Sequence, residues 1–408
     1  MKKRVLLLSL AAMMTATFTV TSCSSDDDFG TTAAQSGILT LSFSGENISS
    51  YKSLNIEIIE VNTHQVKTET ITNLNSFSLP LPYGSYKITV NGAVISDNEE
   101  VSVGAMAQTD IALPATNLHI PLIIKKFHED FIFEEVFFTG VKTTDGKNYN
   151  SSRYFKLTNN TNGVLYADKL IIGQSEFLTT EDKNPTPYTP NTGFPVKAVM
   201  VLPGSGTDYP VQPGDFIVIA DNAINHNAQT STAFDLHNAD FEYPSNNPAL
   251  GQVDNPSVPN AKVIYSQMNF NMFFLHDRGF ESYVIARFPF GESEDSFLQK
   301  NVYEYSYINS AGTVTAKKAY SLPNSWIIDG VNNSVATKFA HTLTSASIDG
   351  GWTSVGTIDK DPTRFGKSVR RKVTGQMSNG KNLYMDTNNS SNDFVKDSQP
   401  SLKNGIVH

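Results

Sequence analysis

The chain is 408 residues long, carries a formal net charge of −9 and contains one cysteine. With 39% apolar and 11% aromatic residues it can build packed cores, which excludes wholesale disorder. A single cysteine excludes an intramolecular disulfide framework, a zinc ribbon and a four-cysteine iron–sulfur cluster, and the acidic balance argues against duplex DNA as a partner.

Residues 1–22 read as a secretory signal. Lys2, Lys3 and Arg4 precede an apolar stretch from Val5 to about Val20 that is short for a membrane span. The string Val20-Thr21-Ser22-Cys23 resembles the lipobox of bacterial lipoproteins. That resemblance implies cleavage before Cys23 and acylation of its thiol. The run Ser24-Ser25-Asp26-Asp27-Asp28 resembles the surface-export signal of Bacteroidetes lipoproteins, which implies display on the outward face of the outer membrane. Physically, residues 23–37 are an acidic, Ser-rich tether in either case.

Residues 38–125 read as a small antiparallel β-sandwich of about seven short strands, in the size class of immunoglobulin-like modules. Leu54-Asn55-Ile56-Glu57-Ile58 alternates apolar and polar side chains, the mark of a half-buried strand. The turn Tyr83-Gly84-Ser85-Tyr86 feeding another alternating run resembles the "G-x-Y" strand of transthyretin-like and carboxypeptidase-regulatory-like sandwiches. That likeness concerns architecture alone. No helical period is evident, and the border falls at Lys125-Lys126.

Residues 127–408 read as a larger β domain. Phe131 to Phe138 is a strand, Tyr154 to Asn160 a second and Leu165 to Ile172 a third. Val211-Gln212-Pro213-Gly214-Asp215 sets a turn before the apolar strand Phe216 to Ala220. This order is similar to lamin-tail domains, which are immunoglobulin-like sandwiches. The matching positions are Glu134 to Val136, Leu157 to Asn160, Tyr166 to Leu170, Gln212 to Ile219 and Gly366 to Arg371, with Asp393-Phe394 and Gln399-Pro400-Ser401 at the close. Where that family has Gly-Trp after its third strand, this chain has Lys169-Leu170, and long loops are expected between Asp221 and Lys360.

Five further strings cover most of the chain: Ala220 to His226, Phe234 to Glu242, Asp254 to Asn260, Trp326 to Val331 and Asp386 to Ser390. Together they resemble a family of Bacteroidetes cell-surface lipoproteins that carry a domain of unknown function and are often encoded beside TonB-dependent receptors. The resemblance implies a compartment and a receptor partner. It carries over no catalytic or binding residue.

Candidate chemistry is sparse. Gly366-Lys367-Ser368 ends like a phosphate loop, but its preceding glycine is Gly356, too far back for that signature, so a turn before a strand with Arg370 and Arg371 facing out is the better account. The eight histidines (64, 119, 128, 226, 237, 276, 341 and 408) show no metal-ligand spacing, and no metal site is expected. His276-Asp277-Arg278 reads as a loop salt bridge. Asp359-Lys360-Asp361 and Asp386-Thr387-Asn388-Asn389 could offer oxygens to calcium, but Asx-turns explain both. Glu134-Glu135 lies in a strand, so its carboxylates should point to opposite faces, one solvated and one partly buried. Trp326, beside Ile327 and Ile328, reads as core. Trp352, in a Gly-rich loop, is the weak candidate for ligand contact.

The reading is an all-β, lipid-anchored outer-membrane protein with a binding or accessory role beside a TonB-dependent nutrient receptor. The alternative is surface adhesion or structure. No enzyme activity, cofactor or nucleic-acid partner is expected, and the small-molecule or glycan ligand is left open.

Overall fold

The computed structural model describes residues 35–96, 98–125, 130–244, 248–250 and 252–408. Cys23, the run Ser24 to Asp28, the Lys126–Phe127 border and His128 lie outside the described residues. The architecture is all-β, built as two sandwiches in sequence.

The first sandwich uses strands β1 (Ser36–Ser44), β2 (Ile48–Glu60), β3 (Val66–Thr72), β4 (Ser76–Pro82), β5 (Gly84–Ser96), β6 (Glu99–Ile111), β7 (Ala115–Pro121) and β8 (Ile123–Ile124). One sheet has the order β4-β1-β7 and the other β3-β2-β5-β6-β8. The alternation in sequence becomes the core: Leu54, Ile56 and Ile58 of β2 and Ile88 and Val90 of β5 pack against Leu39 and Leu41 of β1. Each such side chain, fully buried, contributes roughly 1.5–3 kcal/mol. The sandwich is not purely antiparallel. β1 and β7, the first and last long strands, lie side by side and run parallel from Ile38 opposite Ala115 to Ser44 opposite Pro121. The other sheet supplies the crossover that a parallel pair requires.

The second sandwich packs a six-stranded sheet against an eight-stranded one. The smaller sheet has the strand order Phe241–Glu242, Phe216–Ala220, Tyr154–Asn159, Phe131–Phe137, Ser368–Arg371 and Phe394–Ser398. At the centre of the larger sheet lie Gly193–Val201, Ile171–Ser175, Ser282–Ala286 and Ile327–Ser334. Between the sheets, Phe133, Phe155, Phe273 and Tyr283 form an aromatic core. Each sheet also has a covered outer face. Phe137, Tyr154 and Phe234 pack outside the smaller one, and Phe297, Trp326 and Tyr303 outside the larger. Burial on both faces explains why Phe131–Phe137 is buried throughout and reads as a near-continuous apolar run.

Two local expectations are corrected and one is refined. The stretch from Asp221 to Lys360 has the expected long loops, at 221–240 and 335–352, but is not loop alone. It supplies strands of the larger sheet, including Lys262–Ser266, Ser282–Ala286 and Val302–Ile308. It also holds a short helix, Glu294–Lys300, started by a reciprocal Ser293–Ser296 capping box that the absence of a long apolar period had hidden. Second, Glu134 and Glu135 do not split between faces. Lys156 pairs with Glu135 and Leu157 with Phe133, so Glu134 is the extra residue of a β-bulge. Phe131, Phe133, Val136 and Phe138 all enter the central core, and both carboxylates turn to the other side, where they are fully buried. Third, Arg371 does not face solvent and is 4% exposed. Lys169 takes a left-handed backbone with φ 56°.

Candidate functional site

The outer face of the first sandwich's five-stranded sheet meets the second sandwich across a cleft of about 710 Å³. The strands that send Leu54, Ile56, Ile88 and Val90 inward send the alternate side chains outward. These form the floor: Asn55, Thr70, Lys87, Thr89, Asn91 and Gln108. Thr70 Oγ1 donates to Asn55 Oδ1 at 2.8 Å, which fixes the amide on the sheet. The roof comes from loops of the second sandwich and includes Asp182, Tyr188, Phe339, His341, Trp352 and Ser391.

The two sandwiches are tied where the chain passes between them. Lys125 Nζ donates to the Thr387 carbonyl at 2.9 Å and lies 3.4 Å from that of Asn388. Burial lowers the Lys125 pKa, and the carboxylates of Asp349, Asp393 and Asp386 oppose that shift. The Thr342 hydroxyl donates to Met106 Sδ across the same junction.

The rim around Trp352 is set by hydrogen bonds. Ser391 Oγ accepts from Trp352 N and donates to its carbonyl, both at 3.0 Å. Asp349 accepts from Ser390 N at 2.6 Å, from Gly351 N at 3.1 Å and from Asn332 N at 3.0 Å. Burial raises the Asp349 pKa from 3.8 to about 6, with the Ser390 and Gly351 donors opposing. Only glycine fits at 351, because a Cβ there would stand 2.0 Å from Asn389 Oδ1.

Trp352 therefore lies on the cleft, but not as an open platform. Its ring stacks on Phe339 with centroids 4.7 Å apart and planes 16° apart. Lys396 Nζ lies 4.5 Å from the Trp352 ring centre and Lys87 Nζ 5.1 Å from that of Phe339. Tyr188 is 40% exposed and meets His341 and Phe177 edge-on. Burial raises the Tyr188 phenol pKa to about 12, and Asp182 adds to the shift. Burial lowers the pKa of His341, so its ring is neutral near pH 7. Lys87 is likewise lowered by burial, with Asp182 opposing across the cleft.

The other singled-out residues stand elsewhere. Trp326 is core, against Phe288 and Phe297. Lys156 Nζ lies 2.8 Å from Glu134, and Glu135 accepts from Ser368 and Ser401. Burial raises the Glu135 pKa while those donors oppose it. Ser368 of the Gly366-Lys367-Ser368 string thus holds a buried carboxylate. His276 stacks on Phe280, Asp277 pairs with Arg364 and Arg278 with Asp359. Asp386 Oδ1 lies 3.1 Å from Arg371, whose guanidinium also engages Asp329 and Asp393. The Asp386 carboxylate is thus engaged by a buried guanidinium. Among the described residues, no group of three or more His, Cys, Asp or Glu is arranged to hold a metal, and no helix is long and apolar enough to cross a membrane.

Sequence reasoning missed the cleft floor. Its polar residues read only as the outward side of strands, and nothing in their spacing says what packs opposite.

Residues 212–401 match the family model described as protein of unknown function DUF4876. The chain is similar to a DUF4876 family protein from Bacteroides thetaiotaomicron VPI-5482, at 22% identity and a TM-score of 0.57, over 89% of this chain and 96% of that one. That likeness shows a shared fold. The resemblance to proteins carrying a domain of unknown function is met at the level of that domain. A DUF3823 family protein from Parabacteroides merdae ATCC 43184 aligns at 8% identity and a TM-score of 0.18, over 46% of this chain and 82% of that one. A fimbrial assembly protein from Parabacteroides distasonis ATCC 8503 aligns at 13% identity and a TM-score of 0.15, over 43% and 83%. At those scores neither bears on the role of this chain. A search of the curated proteins finds no match.

Proposed function

We propose that this is a lipid-anchored binding protein of the outer-membrane surface, which holds a nutrient ligand in the cleft between its sandwiches and works beside a TonB-dependent receptor. The observation that carries the binding role is the cleft. It is concave, lies at a domain junction and is lined by convergent polar groups around a few aromatic rings, the usual make-up of a ligand site. Four carboxylates (Glu57, Glu69, Glu181 and Asp182) and two ammonium groups (Lys87 and Lys183) are in its lining. The anchor and the outward location are supported by the lipobox-like string ending at Cys23 and by the acidic run Ser24 to Asp28. In this reading the first sandwich is half of the binding site as well as a spacer above the tether.

The test is membrane fractionation and affinity purification of the full chain from its own bacterium. The wild type should sediment with outer membranes and bring down a TonB-dependent receptor, and Cys23→Ala should release the chain. Membrane retention of Cys23→Ala would sink the anchor, and purification without any receptor would remove the accessory role.

A further inference from the structure

We infer that the cleft is built for an uncharged, linear oligosaccharide lying along the outer face of the β2–β5–β6 sheet, an inference that rests on the cleft being the ligand site.

Around the charged Glu57, Glu69 and Lys87, the floor is a lattice of amides and hydroxyls. Asn55, Thr89, Asn91 and Gln108 stand on adjacent strands, which run about 4.8 Å apart. A sugar hydroxyl both donates and accepts, so it can pair with either end of such an amide. An apolar ligand would strip these groups of water and return nothing, at roughly 1–3 kcal/mol for each group left unsatisfied. An anionic chain fares no better. The lining holds no arginine among the described residues, so the bidentate partner of a carboxylate, sulfate or phosphate is missing. Of the two lysines in the lining, Lys87 feels the charge of Asp182 and Lys183 pairs with Glu181. A peptide would seek free backbone at a sheet edge, whereas β2 and β5 are interior strands bonded to a neighbour on each side.

Shape then selects a chain over a single ring. Beside the 710 Å³ hollow lies a second of about 430 Å³ that shares Lys87, Gln108, Asp182, Phe339 and Ala340 with it. The two adjoin at the Lys87–Phe339 contact. Tyr188 offers the exposed ring on which a sugar can stack, since Trp352 is engaged by Phe339 and Lys396.

The test uses the full chain with linear hexasaccharides of glucose, xylose and mannose, an oligogalacturonate of similar length and a tryptic casein digest. Binding is read by calorimetry and located by hydrogen exchange. The expected result is saturable binding of a neutral hexasaccharide with protection of residues 87–91, 105–108 and 181–191. Gln108→Ala and Tyr188→Ala, both at exposed positions, should each weaken it about tenfold, the loss of one good contact. Protection of these segments by the oligogalacturonate or the peptides alone overturns the sugar class and leaves the cleft as the site. Unchanged affinity in both variants, or no protection there by any probe, overturns the inference together with the site.

Discussion

The ammonium of Lys125 stands 2.9 Å from the carbonyl oxygen of Thr387, so the last residues of the first sandwich are bonded to the rim of the second. Lys125→Ala removes the only cation on these carbonyls among the described contacts and should cost about 1.5–3 kcal/mol. Scanning calorimetry should show one transition in the wild type and a split into two as the sandwiches uncouple. A variant that melts at the wild-type temperature in a single transition would show that the tie carries no load.

Arg371 is drawn against three carboxylates, with two bonds to Asp329 at 2.8 and 2.7 Å. Arg371→Met would leave Asp329 buried without its counter-charge. Breaking such a site from one side should cost about 3–5 kcal/mol in urea unfolding. The double variant Arg371→Met with Asp329→Asn should recover part of that loss, because it also removes a buried charge.

Asp349 makes stability depend on pH. Its folded pKa, about 6, lies above its ordinary 3.8, so the folded state holds the proton more tightly. The contribution is fully present below about pH 3.8 and is lost as pH rises through about 6. Asp349→Asn should flatten the fall in unfolding free energy over that window by an amount on the order of 2–3 kcal/mol. A slope identical to wild type would show that Asp349 does not titrate there.

Gly351→Ala should disturb the rim without touching the floor. Its new Cβ would meet Asn389 Oδ1 at 2.0 Å and Ser391 N at 2.7 Å, so the Trp352 loop must shift. Overpacking of this kind costs about 1–3 kcal/mol. Tryptophan fluorescence should change along with the melting temperature, and an unchanged spectrum would place the strain elsewhere.

Much of the fold is legible in the residues. Asn55 and Glu57 between Leu54, Ile56 and Ile58 declare a half-buried strand, and β2 is one. The Pro213-Gly214 turn leads into Phe216–Ala220 as expected. The failures share a physical origin. A bulge resets the period of two, so Glu134 and Glu135 break the rule that neighbours in a strand face apart. Arg371 is drawn inward by Asp329 and Asp393, whose approach depends on tertiary packing and not on spacing. The cleft is harder still. Lys87 and Phe339 meet across it from different sandwiches. Alternation tells which side of a strand is wet, but not which distant loop stands over that side.

The parallel pairing of β1 with β7 also bears on force. A pull on the N-terminal end of the chain, resisted by the second sandwich, draws β1 backward from Ser36 and β7 forward past Pro121. In a parallel pair these opposed pulls act along the strands, so the ladder from Ile38 to Ser44 is loaded in shear and its hydrogen bonds must yield together. An antiparallel terminal pair pulled at adjacent ends would unzip one bond at a time. Under the proposed anchoring at Cys23, the chain would be joined to its tether through the mechanically stronger of the two arrangements.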